Sequence, residues 1–235
     1  MTTRINGFAF FDVDETLVCE KTMFSILNEL ALHFVNLTAA DLIKHLRDLR
    51  LQGRPREDVN RAFYHALKGL SRWDTRAIAA TYIEKRVLQN EFYPFFIPET
   101  IMRLKELRTN GFEPVFVSGS AYDFLFKLAE TLGVNHILAT ELEVDANGVY
   151  TGEIAGRCMI GDGKTEAVRA FMQTHQADPM VCHAYGDHIS DAGFISLVGN
   201  GYFVEGNSDA EALAVERGWP IIPLKNPINQ LEMAR

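Results

Sequence analysis

Asp12 and Asp14 stand two residues apart near the start of the chain, with Thr16 two residues further on. They follow the apolar run Phe8-Ala9-Phe10-Phe11, which reads as a short buried strand. In an open α/β sheet, ligands bind beyond the carboxyl ends of the strands, so the two acids fall where a site would form. Carboxylates this close repel each other unless a cation or a proton lies between them. The chemistry that fits is a nucleophilic Asp12, an Asp14 that gives and takes a proton, and a hard metal ion as their partner.

Three more loops carry small or charged residues at the ends of apolar runs. Ser118-Gly119-Ser120 follows Pro114-Val115-Phe116-Val117, and Gly186-Asp187, with Asp191 close behind, follows the run from Val181 to Tyr185. The third loop, Gly161 to Lys164, opens a helical stretch. Side by side in a parallel sheet, these loops would converge with Asp12 and Asp14 on one edge. The chemistry they could share is phosphoryl transfer. A carboxylate attacks phosphorus, and a second acid protonates the leaving oxygen and then takes a proton from water. A hydroxyl, a backbone N–H and a lysine hold the remaining phosphoryl oxygens.

The elements that would position these loops follow from periodicity. From about Lys21 to Asn90 the pattern is helical, with no convincing strand. Phe24, Leu27, Leu30, Ala31 and Phe34 suit a first helix, and Leu42, Ile43, Leu46 and Leu49 a second. Val59, Phe63, Ala66 and Leu67 suit a third helix over Arg56 to Leu70, and Asp74 is placed to cap a fourth. Because α/β cores alternate strand and helix, this block reads as an inserted helical subdomain, with Pro94 and Pro98 marking the return. Helices are then expected over Glu99–Asn110, Tyr122–Leu132, Gly163–Thr174 and Ser208–Arg217. Strands are expected over Ile137–Ala139 and Gly201–Val204. Asp145-Ala146-Asn147-Gly148 makes a hairpin turn. The tail from Trp219, with Pro220, Pro223 and Pro227, reads as irregular.

With 235 residues, 47% of them hydrophobic, the chain can bury a substantial core. A formal net charge of −8 argues against nucleic acid or an anionic membrane as partner. Cys19, Cys158 and Cys182 are few and far apart, without a C-x-x-C pair, which indicates neither a disulfide framework nor a zinc site. Asp12 interrupts the only early apolar run, and no stretch approaches transmembrane length. A cytoplasmic protein is expected.

Asp-x-Asp-x-Thr-Leu-Val at 12–18, Val-Ser-Gly-Ser at 117–120, Gly-Lys at 163–164 and Gly-Asp-x-x-x-Asp at 186–191 resemble, in order and spacing, the four motifs of the haloacid dehalogenase superfamily. The long helical block after the first motif, the hairpin before the lysine and Arg-Gly-Trp-Pro at 217–220 are similar to its phosphoserine-phosphatase-like branch. The resemblance implies an α/β fold: a three-layer Rossmann-like core with a mostly parallel sheet, formed by 1–18 and 94–235, and an all-helical cap over 19–93. It implies Asp12 as nucleophile and Asp14 as general acid/base. Ser118, Gly119 and Lys164 would hold the phosphate. Asp12, Asp187 and the main-chain carbonyl of Asp14 would hold Mg²⁺, with Asp191 orienting them. The implied reaction is hydrolysis of a small phosphorylated metabolite through an aspartyl-phosphate.

Some positions bear on the substrate. Phosphoserine phosphatases carry a glutamate nine residues after the nucleophile, facing the substrate amine. Lys21 stands there in this chain, and Glu20 is out of register. A cation would repel an ammonium group, which favours a neutral or anionic substrate tail. Ser190 replaces the asparagine usual between the last two acids, and His188 follows Asp187 into the site loop. Arg47, Arg50, Arg54 and Arg56 could steer an anion towards the cleft. Other readings are a phosphotransferase or dehalogenase on the same scaffold, or a non-catalytic phosphometabolite-binding or regulatory protein. A dehalogenase, having no leaving oxygen to protonate, would not need Asp14.

Overall fold

The first strand, β1 (Gly7–Phe11), is buried on both faces in the computed structural model, which describes residues 5–225. A strand without a solvent face belongs in the middle of a covered sheet. The sheet is six-stranded in the order β3-β2-β1-β6-β7-β8, and every neighbouring pair is parallel. Its other members are β2 (Phe112–Ala121), β3 (His136–Thr140), β6 (His183–Gly186), β7 (Asn200–Val204) and β8 (Ile221–Ile222). Strand order reverses at β1, so the crevice between β1 and β6 is the topological switch point at which ligands bind in such sheets.

Alternation along β1 divides the core. Phe8 and Phe10 pack with Val168 and Phe171 of α7 (Asp162–Thr174), Phe194 of α8 (Ala192–Ile195) and Ala210 of α9 (Ser208–Arg217). Ala9 and Phe11 face the opposite layer, with Leu104 of α5 (Pro98–Thr109) and Phe124 and Leu128 of α6 (Tyr122–Leu132). Phe11 stacks on Tyr185 at 4.5 Å and Tyr185 on Tyr202 at 4.9 Å, tying β1, β6 and β7 together on that face. The expected three-layer α/β architecture is thus present.

Four helices lie consecutively between β1 and α5: α1 (Thr22–His33), α2 (Ala39–Leu51), α3 (Arg56–His65) and α4 (Arg72–Leu88). Their apolar faces, through Leu27, Leu30, Phe63 and Ile83, join the core that contains Phe11 and Phe124. The α3–α4 connection also runs along the hairpin of β4 (Leu142–Val144) and β5 (Tyr150–Ile154). Gly69 N–H donates to Tyr150 O at 2.9 Å, Tyr150 N–H to Leu70 O at 3.0 Å, and Arg72 N–H to Gly148 O at 2.9 Å.

Buried Asp123 on α6 locks that junction. It accepts from Arg72 Nη2 at 3.0 Å and from the Tyr150 hydroxyl at 2.8 Å, and Arg76 lies 3.5 Å away. Asp123→Ala leaves the Tyr150 hydroxyl and a guanidinium without their acceptor. The expected loss is about 2–3 kcal/mol of unfolding free energy, read by denaturant titration, and Asp123→Asn should recover part of it.

Several sequence expectations shift. The cap of α4 is Ser71, whose Oγ accepts from Asp74 N–H at 3.3 Å, so Asp74 lies inside the first turn. The third helix ends at His65, because Gly69 and Leu70 are drawn into the ladder with the hairpin. Within the tail, Ile221–Ile222 form β8 against β7, and residues 226–235, Pro227 among them, fall outside the described residues.

Candidate active site

Asp12 follows β1 directly, and its N–H continues the ladder to Tyr185 O on β6 at 2.9 Å. The chain then winds tightly round Val13, whose carbonyl accepts from Leu17 N–H at 2.8 Å and Val18 N–H at 3.1 Å. This turn forces Glu15 to φ +60°, a left-handed conformation that a non-glycine residue adopts only when its surroundings hold it there. Thr16 turns back across the switch point, its hydroxyl donating to Asp187 Oδ1 at 3.1 Å.

Asp187 leaves the end of β6, and Asp191 closes the short 3-10 turn that follows. Lys164, in the first turn of α7, reaches between the two strands. Its Nζ lies 2.6 Å from Asp12 Oδ1 and 2.7 Å from Asp191 Oδ1. Lys164, Asp12, Asp187 and Asp191 are all buried. Asp12, Asp187 and Asp191 each present a carboxylate oxygen within 4.8 Å of the others.

Three buried carboxylates therefore cluster around one ammonium, which contacts two of them. Burial raises the Asp12 pKa to about 7 despite the opposing Lys164, and burial with the neighbouring acids pushes Asp187 well above the carboxylate range. Burial also disfavours the charge on Lys164, but Asp12 and Asp191 outweigh it and hold that pKa above the ordinary lysine value. An all-oxygen donor set with excess negative charge fits a hard divalent cation such as Mg²⁺.

Asp14 is held apart from this cluster. Its Oδ1 accepts from Thr22 N–H at 3.0 Å and Thr22 Oγ1 at 2.7 Å, and its Oδ2 from Ser120 Oγ at 2.7 Å. Burial raises its pKa, and the bonds from Thr22 and Ser120 oppose the rise.

Ser118 and Gly119 lie where β2 slips out of register with β3, between Ser118 and Ala121. Ser118 Oγ accepts from Ser120 N–H at 3.1 Å. The Gly119 carbonyl accepts from Tyr64 Oη at 2.8 Å, Thr140 Oγ1 at 2.9 Å and Asn60 Nδ2 at 3.2 Å. A Cβ at Gly119 would stand 2.6 Å from Ile160 Cδ1 just before the Lys164 loop, so glycine lets the two loops approach.

The substrate-facing candidates divide. His188 Nδ1 accepts from Ser190 N–H at 3.0 Å, so the ring carries its proton on Nε2, and Arg56 Nη1 lies 2.6 Å from the same Nδ1. Burial, then Arg56, lowers the His188 pKa to about 4. Ser190 Oγ, 3.1 Å from Nδ1, helps fix the ring. Lys21 is ion-paired with Glu15 at 3.1 Å, so the repulsion expected from it is partly cancelled. Glu20 is buried beneath α4, taking the Tyr82 hydroxyl at 2.5 Å with Arg86 at 3.4 Å.

Sequence reasoning passed over Thr22, Asn60 and Tyr64 and gave Ser120 no separate role. Asn60 and Tyr64 had a usable signal, being polar residues one turn apart on an otherwise apolar helical face. Thr22 had none, because its role appears only when α1 folds back onto the first loop.

A parallel sheet with two acids just after its first strand, a lysine joining the first of them to Asp191, and Asp187 and Asp191 in the loop after the adjoining strand is the arrangement of a class of hydrolase. The family model for haloacid dehalogenase-like hydrolases matches residues 9–196, and the chain belongs to that family. Among curated proteins, the phosphoserine phosphatase SerB1 of Mycobacterium tuberculosis is 28% identical over 230 residues, covering 92% of this chain and 70% of that one. A substrate-bound phosphoserine phosphatase structure matches with a TM-score of 0.68 at 19% identity, over 98% of each chain. A phospho-aspartyl intermediate analogue of phosphoserine phosphatase matches with a TM-score of 0.66 at 20% identity, over 98% of this chain and 99% of that one. These two structures share the fold.

Proposed function

We propose that this chain is a Mg²⁺-dependent phosphatase that hydrolyses a small phosphomonoester through an aspartyl-phosphate on Asp12. The observation that carries the reading is the buried cluster in which Lys164 joins Asp12 to Asp191 beside Asp187, with Asp14 held separately on Thr22 and Ser120. Lys164 binds Asp12 Oδ1, leaving Oδ2 to attack phosphorus as the bond to the leaving oxygen breaks. Asp14 gives that oxygen its proton, then removes one from the water that attacks the same phosphorus and releases Asp12 and inorganic phosphate. Ser118, the Gly119 N–H and Lys164 hold the other phosphoryl oxygens. Asp12, Asp187 and the Asp14 carbonyl would hold Mg²⁺, with Asp191 orienting the set; when bound, the ion offsets charge on the phosphoryl group.

Residues 19–93 serve as a cap in this reading, on a core of 1–18 and 94–235. Support comes from α3, which touches the Ser118 loop through Asn60 and Tyr64 and the Asp187 loop through Arg56. Cap opening would admit substrate, and closure would exclude bulk water. Cys19, Cys158 and Cys182 are free thiols, which suits the cytoplasm. No helix among the described residues is long and apolar enough to cross a membrane.

The test is turnover of p-nitrophenyl phosphate and of an alkyl phosphate, with Mg²⁺ and with chelator. Activity should require the metal. Asp14→Asn should lower kcat/KM for the alkyl ester by about 10²–10⁴-fold and for the nitrophenyl ester much less, because kcat/KM reports the transfer to Asp12 and nitrophenolate leaves without protonation, whereas loss of water activation slows kcat on both esters. Equal losses in kcat/KM would remove Asp14 from the acid role. A wild-type protein inert on both esters would sink the phosphatase reading.

A further inference from the structure

We infer that Arg56, anchored by His188, recognises a second anionic group on the substrate, so that the preferred substrate is a phosphomonoester bearing a carboxylate or a further phosphate. The inference rests on the phosphatase reading above and extends it to the part of the substrate that does not react.

Position comes first. On α3, Asn60 and Tyr64 bond the Gly119 carbonyl, and the Glu57 carbonyl lies 4.0 Å from Cys158 Sγ, just ahead of the Lys164 loop. The same helix brings Arg56 to His188, the residue next to Asp187. Arg56 therefore stands at the rim of the site, one residue away from the acid cluster.

Charge comes second. Among the described residues, Arg56 has no carboxylate within ion-pair distance. Its partner is the Nδ1 of His188, which also accepts the Ser190 N–H and so is an unprotonated acceptor. A neutral imidazole fixes the guanidinium without cancelling its charge. Two nearby cations are already paired: Arg54 lies 2.8 Å from Asp58 and Lys21 3.1 Å from Glu15. Guanidinium presents five donors in a planar fork that matches carboxylate and phosphate oxygens, and the contact to His188 uses one. An exposed arginine held by a neutral acceptor beside a phosphoryl site is thus left with both charge and donors for a ligand.

The experiment is steady-state kinetics of the full chain with Mg²⁺ on three esters of similar size. Phosphoglycolate carries a carboxylate, glycerol phosphate a neutral tail and phosphoethanolamine an ammonium group. The wild type should favour phosphoglycolate over glycerol phosphate in kcat/KM by about tenfold or more, mainly through KM. Arg56→Ala should bring that ratio close to one, Arg56→Glu should shift preference towards phosphoethanolamine, and Arg54→Ala should keep the wild-type ratio. His188→Ala should lower the ratio part of the way. An Arg56→Ala ratio equal to wild type, or a loss of equal size on all three esters, overturns the assignment of Arg56 alone. A wild-type protein that turns over none of the three, nor p-nitrophenyl phosphate, overturns the phosphatase reading with it.

Discussion

Asp12→Asn should lower turnover by on the order of 10⁴-fold or more, because no other group in the cluster can replace the attacking carboxylate. The same substitution should make the metal-free protein more stable at pH 8. Asp12 is driven from its ordinary value of 3.8 to about 7 by burial, against the pull of Lys164. Between those two values the folded state takes up a proton that the unfolded chain does not hold, so stability falls as pH rises through this window and levels off above it. Asparagine carries no such charge and still offers Lys164 an acceptor. Taking the gain as about 1 kcal/mol, the melting midpoint should rise by about 2–4 °C at pH 8, with little difference near pH 4. Mg²⁺ should raise the wild-type midpoint more than that of Asp12→Asn, since a ligand stabilises only the state that binds it. Melting curves with and without Mg²⁺ read all three effects. A variant that keeps wild-type turnover would remove Asp12 from the nucleophile role. A metal-free variant less stable than wild type at pH 8 would contradict the charge balance drawn for the cluster.

Lys164→Met should have the largest effect on folding. Lys164 is the ammonium that Asp12 and Asp191 share, and a thioether of similar length cannot offset either charge. Removing one partner of a buried ion pair costs about 3–5 kcal/mol, here about 10 °C or more in midpoint. The loss should ease as pH falls from 8 to 6, because Asp12 and Asp187 have raised pKa values and take up the compensating protons. Mg²⁺ should recover part of it by placing positive charge among the same oxygens. Turnover should drop by about 10²–10³-fold even with metal, since a donor to the phosphoryl oxygens is gone. A variant as stable as wild type at pH 8, with no response to pH or Mg²⁺, would show that the lysine does not balance the cluster.

The order and kind of the elements were legible because their signals are local. The run Phe8–Phe11 identifies a buried strand without reference to the rest of the chain, and the residues after it must emerge at its carboxyl end. The same holds for Ser118, Lys164 and Asp187, in the last part of β2, the first turn of α7 and directly after β6, although β2 runs on to Ala121 past the end expected at Val117. Helical spacing from Phe24 to Ile83 marks the insert for the same reason, since a helix that buries one face must repeat its apolar residues at that period.

What the tertiary structure alone decided is which of these groups meet. Lys164 and Asp191 are 27 residues apart and Arg56 and His188 are 132 apart, and no spacing in the sequence pairs them. Sheet order does so by placing β1 between β2 and β6, and α1 and α3 reach the ends of those strands or the loops after them through Thr22, Asn60 and Arg56. The clamp of Thr22 and Ser120 on Asp14, the pairing of Lys21 with Glu15 and the junction at Asp123 arise in the same way. From its sequence, Asp12-x-Asp14 was a pair of acids in need of a cation. In the fold the pair is divided: Asp12 joins the buried cluster with Lys164, while Asp14 is turned onto hydroxyl donors beside it. Local periodicity determines where a polar group leaves the core, and only long-range packing determines what it meets there.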